Sequence, residues 1–281
     1  MRRIAVANLK GGTAKSTTAT CLAVALARRG HRVLCVDTDA QANATWTLLG
    51  GQGAEPPTLA AVLTRQASAE EAIRPTATLG LDLLPADASL GGVNVALAQE
   101  LARDTRLRSA LAPLDGDYDF AIIDTPPTLS TLLVNALVAA HEVITPTDAG
   151  MYSTLGLVQL QEMLEEVREA YGNDRLHLAG LLLTRVARNS VARDVEASLR
   201  SSFGDRVFKA TIPLTVQVEA AHTRAETIMT FAPKSPAALA YESLVDEVLS
   251  DGRHTEDGSG GASERVAGAD AEAGRRGRRA G

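Results

Sequence analysis

Aromatic residues make up only 3% of this 281-residue chain, so any core it buries must be aliphatic. Hydrophobic residues still reach 45%, enough at this length for one substantial core without division into two globular domains. Cysteine is almost absent. Cys21 and Cys35 have neither CxxC spacing nor a histidine at ligand spacing, which argues against a metal or redox role. Both fall inside apolar segments, as buried free thiols of a reducing compartment do, and a cytoplasmic location is expected. No apolar run approaches the ~20 residues needed to cross a bilayer. The chain enters an apolar strand directly after Arg2 and Arg3, so no cleaved leader is expected either. Lysine is scarce as well: of 28 basic residues only Lys10, Lys15, Lys209 and Lys234 are lysines.

Two of those four lysines fall in one short stretch, Lys10-Gly11-Gly12-Thr13-Ala14-Lys15-Ser16-Thr17-Thr18, directly after the apolar run Ile4-Ala5-Val6-Ala7. A strand that passes through a glycine turn into a helix start leaves several backbone N–H groups converging on one spot. That spot attracts anions, because those amides have no helical partner and the helix dipole adds positive potential. A compact ammonium sits between phosphate oxygens in a way that a planar guanidinium does not. Lys15 is therefore expected on the β- and γ-phosphates of a nucleoside triphosphate, and the Ser16 hydroxyl on Mg²⁺. The phosphate-binding segment is read as Lys10 through Thr17. It departs from G-x-x-x-x-G-K-S/T, with Leu9 and Ala14 at the two glycine positions, and fits the deviant form K-G-G-x-x-K-S/T.

With three further blocks in order, the chain resembles the ParA/MinD family of deviant-Walker ATPases, and within it the ParA/Soj partition branch. Val36-Asp37-Thr38-Asp39-Ala40-Gln41-Ala42-Asn43-Ala44-Thr45 is similar to the family's V-D-x-D-P-Q-x-N-A-T, with Ala40 replacing proline. Phe120-Ala121-Ile122-Ile123-Asp124-Thr125-Pro126-Pro127 resembles its Walker B strand and switch, and Phe208-Lys209-Ala210-Thr211-Ile212-Pro213 the segment closing over adenine. The resemblance implies a Mg²⁺-dependent ATPase in which Lys10, Lys15 and Asp39 serve catalysis. Asp39 would orient the attacking water, while Ser16, Asp37 and Asp124 would serve the metal. Lys10 would reach across a two-fold interface to the partner's nucleotide, making a homodimer that depends on ATP. Thr184, Arg185 and Pro213 are the implied adenine-side contacts. On an extended segment Asp37 and Asp39 point the same way, and a loop-capping part for either stays open.

Strands are predicted at 4–8, 33–37, 82–84, 119–123, 142–146, 178–184 and 207–211. Helices are predicted around 16–29, 93–111, 129–140, 153–171, 190–202 and 236–249, with loops at 50–57 and 85–92. Such alternation implies an α/β fold, a mostly parallel twisted sheet with helices on both faces. The phosphate loop, Asp37, Asp39 and Asp124 then gather beyond the carboxyl ends of strands, where ligands bind in such sheets. Residues 1–250 read as the ATPase domain. From Asp251 on, Gly, Ser, Ala and charges without periodicity predict a disordered tail.

The chain's net charge of −6 speaks against a generally nucleic-acid-coated protein. Residues 181–234 differ, carrying eight basic side chains against five acidic ones. A local basic surface suits weak, sequence-independent DNA binding that a dimer doubles. Arg188, Arg193, Arg200 and Arg224 are the candidate DNA contacts, although a solvated helix face accounts for them too. The terminal Arg275-Arg276-Gly277-Arg278-Arg279 belongs to a charge-balanced tail without an apolar face, so membrane anchoring is not expected. The resemblance further implies a ParB-like adaptor that stimulates hydrolysis, and association with the nucleoid. Two alternatives are a metabolic ATP-dependent amide- or ring-forming ligase on the same scaffold and a hydrolysis-poor, nucleotide-held scaffold.

Overall fold

The computed structural model describes residues 1–148 and 153–257. Its strands are β1 (Arg2–Val6), β2 (Val33–Asp37), β3 (Arg74–Pro75), β4 (Leu81–Leu84), β5 (Phe120–Asp124), β6 (Glu142–Asp148), β7 (His177–Val186) and β8 (Val207–Pro213). The α-helices, in chain order, are α1 (Lys15–Arg28), α2 (Asn43–Leu48), α3 (Leu59–Leu63), α4 (Ala69–Ala72), α5 (Leu90–Ala96), α6 (Arg106–Leu111), α7 (Thr131–Ala139), α8 (Ser153–Tyr171), α9 (Ser190–Phe203), α10 (Val216–Thr223), α11 (Ile228–Phe231) and α12 (Pro236–Asp257). The strands form one sheet in the order β3-β4-β2-β5-β1-β6-β7-β8. Every pairing is parallel except β3 with β4, a two-residue antiparallel edge.

Strands β2 and β5 are buried at every position, which is why their sequences read as continuous apolar runs rather than alternating ones. The period of two still sorts the side chains between faces. Ala5, Leu34, Val36, Ile123 and Val143 join α3, α5, α6, α7 and α8 in one aliphatic cluster. Helix α1 packs against β1, β2 and β5, and its side chains lie outside that cluster, on the opposite face. The α/β expectation of helices on both faces therefore holds. Few aromatics are needed. Tyr241 is fully buried with its hydroxyl 3.3 Å from that of Thr18, and Phe208 covers Gly180 on the neighbouring strand.

Three expectations change. The helix expected over 93–111 is broken into α5 and α6, with Ala102 in a left-handed turn at φ 55° between them. Asn135 of α7 holds the break: its side chain accepts from Leu107 N–H (3.1 Å) and donates to the Arg103 carbonyl (2.9 Å). The loop expected over 85–92 gives way to α5 at Leu90. Helix α12 continues to Asp257, past the expected start of the tail at 251, because each residue added to an existing helix gains a hydrogen bond. Residues 258–281 lie outside the described residues. The chain divides into two units, Met1–Glu247, which carries the sheet, and a second beginning at Val248.

Candidate nucleotide-binding site

The three innermost strands end together. Register pairs Val6 with Asp124 between β1 and β5, and Asp37 with Asp124 between β2 and β5. The loop after β1 is fixed by Asn8, whose side chain donates to the Pro146 carbonyl (2.7 Å) and accepts from Lys10 N–H (2.8 Å). Gly12 and Ala14 both take left-handed conformations, at φ 73° and φ 65°. Such turns gather consecutive N–H groups into an anion-binding concavity. Ala14 is the N-cap of α1 and offers no side-chain cap, and the first helical bond runs from Thr18 N–H to the Ala14 carbonyl (2.8 Å). The amides of Lys15, Ser16 and Thr17 thus have no partner within the helix, as an oxyanion site requires.

Lys15 is buried, and its ammonium donates to the Lys10 carbonyl at 3.2 Å. Burial lowers its pKa, and the carboxylates of Asp124 and Asp39 pull the other way. The buried Thr13 hydroxyl donates to the same carbonyl at 3.3 Å. Lys10 turns outward, its ammonium 2.8 and 2.9 Å from the two carboxylate oxygens of Asp148.

The carboxylates take different parts. Asp37 is fully buried and spent on local structure, accepting from Asp39 N–H (3.1 Å), Thr45 N–H (2.8 Å) and the Thr45 hydroxyl (2.8 Å). Burial pushes its pKa up to about 6, against the Thr45 bonds. Asp37, which the resemblance places among the metal-serving residues, thus spends both oxygens on the loop-capping part that the sequence left open. Asp39 is half-buried, accepts from Gln41 N–H (3.0 Å) and lines a cavity. Asp124 is fully buried, and neither of its carboxylate oxygens has a hydrogen-bond partner. Burial raises its pKa well above the carboxylate range, helped by the charges of Asp37 and Asp39 and opposed by Ser16 and Lys15. A buried, unpartnered carboxylate beside a serine at a phosphate loop is a fit for a metal-bound water. Among the described residues no group of three or more His, Cys, Asp or Glu is placed to cage a metal. That suits Mg²⁺, which usually takes one or two side chains and completes its shell with phosphates and water.

Two cavities open on the loop. The first, about 270 Å³, is walled by Thr184, Arg185, Ile212, Pro213, Leu214, Val218 and Glu219, so the three expected adenine-side residues share it. Thr184 donates to the Thr13 carbonyl (3.2 Å), and Arg185, itself at φ 54°, donates to the Gly12 carbonyl (3.0 Å). The second, about 500 Å³, is walled by Gly11, Lys15, Ser16, Asp39, Gln41, Asn43 and Trp46. Gly12, Ala14, Thr17 and His222 belong to both. An apolar end joined to a cationic, hydroxyl-bearing end matches a base joined to a polyphosphate. The sequence reading missed Asp148, Trp46, Glu219 and His222, which lie in no motif. Asn8 was missed too, although it lies directly next to the motif.

Of the candidate DNA contacts, Arg188, Arg193 and Arg224 are exposed, with Arg224 stacked 5.3 Å from the Phe231 ring centroid. Arg200 is different. It pairs with Glu196 at 2.8 Å and donates to the Phe208 carbonyl at 3.1 Å, holding α9 against β8. Arg200 thus braces α9 against β8, while its side chain stays a third exposed.

Residues 1–178 match the family model described as an AAA domain. The chain is 40% identical over 253 residues to the chromosome partitioning protein ParA of Caulobacter vibrioides, covering 89% of this chain and 94% of that one. It is 43% identical over 250 residues to the chromosome-partitioning ATPase Soj of Thermus thermophilus, covering 89% and 96%. Among solved structures it is similar to the cobyrinic acid a,c-diamide synthase of Mycobacterium smegmatis with bound ATP analogue and magnesium. There the TM-score is 0.78 at 35% identity, over 92% of this chain and 97% of that one.

Proposed function

The chain belongs to the ParA/Soj family of ATPases, and from that premise we propose that it positions DNA or cargo by an ATP-controlled dimer cycle. It is a Mg²⁺-dependent ATPase. In the proposed cycle ATP closes two copies into a dimer that holds DNA without regard to sequence, and a ParB-like adaptor speeds hydrolysis and release. The observation that carries the reading is the meeting of a buried lysine, an uncapped helix start and the unpartnered carboxylate of Asp124 at the ends of β1, β2 and β5.

Phosphoryl transfer to water is catalysed mainly by placement and electrostatics. Residues 10–17 would hold the triphosphate through backbone amides, with Lys15 turning from the Lys10 carbonyl to the phosphate oxygens. Thr184, Arg185 and Pro213 would flank the base. Ser16 and Asp124 would hold Mg²⁺, which when bound neutralises charge on the phosphates. Asp37 keeps the β2–α2 turn in shape, and Asp39, on the same turn, would orient the water.

Lys10 would exchange its surface pair with Asp148 for the partner's γ-phosphate, an interaction that hydrolysis removes. An exposed pair of this kind contributes only ~0–1 kcal/mol, so it opposes the exchange weakly. Arg188, Arg193 and Arg224, with the exposed part of Arg200, would supply phosphate contacts from an otherwise acidic chain, giving binding that falls steeply with salt. Such a protein would work in the cytoplasm on the nucleoid. Among the described residues no helix is long and apolar enough to cross a membrane.

The likeness to a diamide synthase favours a second reading, ATP-dependent amide formation on the same scaffold. Drawing ammonia from glutamine with a cysteine needs an accessible thiolate, and both cysteines are fully buried with their pKa values raised by burial, Cys21 to about 12. This speaks against a thiol-dependent use of glutamine and leaves a ligase using free ammonia, or a ring-forming one, as the form of this reading. Turnover measured with ATP alone, with DNA, with DNA plus the candidate adaptor, and with a small carboxylate plus ammonia separates the readings. Stimulation by DNA and adaptor together is expected, and stimulation confined to the carboxylate mixture would overturn the partition reading.

A further inference from the structure

The base-side and phosphate-side cavities meet at Gly12, Ala14, Thr17 and His222. Three of these belong to the anion-binding loop and the first turn of α1. His222, near the end of α10, is the one that forms the facing wall. Its Nε2 lies 3.1 Å from the hydroxyl of Thr17, a residue only 8% exposed. The histidine itself is exposed, so its ring is open to the cavities rather than packed into the core. A ligand with an apolar end in the first cavity and a polyanionic end in the second has to pass between His222 and the loop.

We infer that His222 is a nucleotide-contacting residue, bonding the sugar and first phosphate where base and polyphosphate join, opposite Thr17. This deepens the reading above and rests on it. An imidazole carries a donor and an acceptor on opposite sides of a flat ring, so one nitrogen can stay on the Thr17 hydroxyl while the other meets the ligand. Glu219, one turn earlier on α10, lines the base-side cavity. Lys15 and Asp39 line the phosphate-side cavity, where the terminal phosphates would sit. His222 therefore reads the part of the ligand that di- and triphosphates share. Lys10, by contrast, is assigned to the terminal phosphoryl. The two residues should leave different signatures in binding.

The test is calorimetric affinity for Mg²⁺–ADP and for a Mg²⁺-bound, slowly cleaved ATP analogue, using the full chain and His222→Ala, with melting temperatures recorded without nucleotide. A hydrogen bond to a charged group predicts a loss on the order of tenfold, equal for both nucleotides, with melting unchanged. Undiminished affinity in His222→Ala would overturn the inference, as would a loss confined to the triphosphate. His222→Phe keeps the ring and removes both nitrogens. It is expected to show the same equal loss and serves as the comparison should the alanine variant fail to fold. If the unaltered chain binds neither nucleotide, the ATPase reading itself fails. Binding by the unaltered chain that persists equally in both variants removes only His222 from the site.

Discussion

Replacing Asp124 with asparagine should make the protein more stable and at the same time disable it. The Asp124 carboxyl is fully buried, both oxygens lack partners, and Asp37, also fully buried, stands opposite it in register. Its pKa is raised well above the carboxylate range, first by burial and then by the charge of Asp37. In the unfolded chain the same group titrates near ~3.9. The folded protein therefore keeps a proton that the unfolded chain releases. Over the interval between the two pKa values folding stability falls as pH rises, by up to ~1.4 kcal/mol per pH unit. Asp37, pushed up to about 6, adds a fall of the same sign that ends near that pH. Asparagine has no proton to lose, and its amide keeps the volume while still burying two polar atoms, so the gain comes from the charge alone.

At pH 8 without nucleotide, Asp124→Asn should be more stable, the difference widening by up to ~1.4 kcal/mol per pH unit between the two pKa values. For a domain of this size each kcal/mol moves Tm by roughly 2–4 °C. Melting curves from pH 5 to 8 should show a shallower decline for the variant than for the unaltered chain. Added Mg²⁺ and ATP should raise Tm of the unaltered chain by mass action, and the variant should lose most of the Mg²⁺-dependent part. A variant less stable at pH 8, or one that keeps the full Mg²⁺-dependent gain, would refute the assignment of Asp124.

Three further outcomes are expected. Ala14→Gly relieves a left-handed alanine costing ~1–2 kcal/mol, partly offset by the ~0.4–1 kcal/mol that glycine adds to unfolded-chain freedom. Denaturant unfolding should thus show unchanged or slightly greater stability, with ATP affinity equal or tighter, and clear loss of either would contradict the geometry. Gly180→Ala would put a Cβ 2.7 Å from the Phe208 ring, and overpacking of this kind should cost about 1–3 kcal/mol in urea melts without a specific effect on nucleotide affinity. Asp39→Ala should slow steady-state ATP turnover by at least ~100-fold while binding persists, so that the ATP-bound dimer accumulates on size-exclusion chromatography. Turnover at the unaltered rate would remove Asp39 from its part.

The sequence was most legible where one segment answers to one constraint. Central strands buried on both faces show up as unbroken apolar runs, and β2 and β5 were read correctly because nothing else competes for such a run. The phosphate loop was legible because its glycines and lysines are consecutive. The two-residue β3 carries too few residues to show any period. Helices α2, α3, α4, α10 and α11 are eight residues or fewer, at most about two turns, and their clearest signals are caps such as the Ser68–Glu71 box and Thr227 rather than apolar stripes. The break between α5 and α6 depends on Asn135, which lies 28 residues beyond Leu107 and is invisible to any local pattern. The site divides in the same way. Whether Asp37 or Asp39 caps the loop was open in the sequence, and only the folded turn, with Thr45 bonded to Asp37, shows it. Asp148 and His222 face the loop from 138 and 205 residues away, so no spacing rule could have found them.

Sedimentation velocity with Mg²⁺ and saturating nucleotide addresses the γ-phosphate-dependent dimer most directly. The full chain should sediment as a dimer with a slowly cleaved ATP analogue and as a monomer with ADP, and Lys10→Ala should stay monomeric with both. A monomer under the saturating analogue, or the same dimer with ADP, would contradict the account.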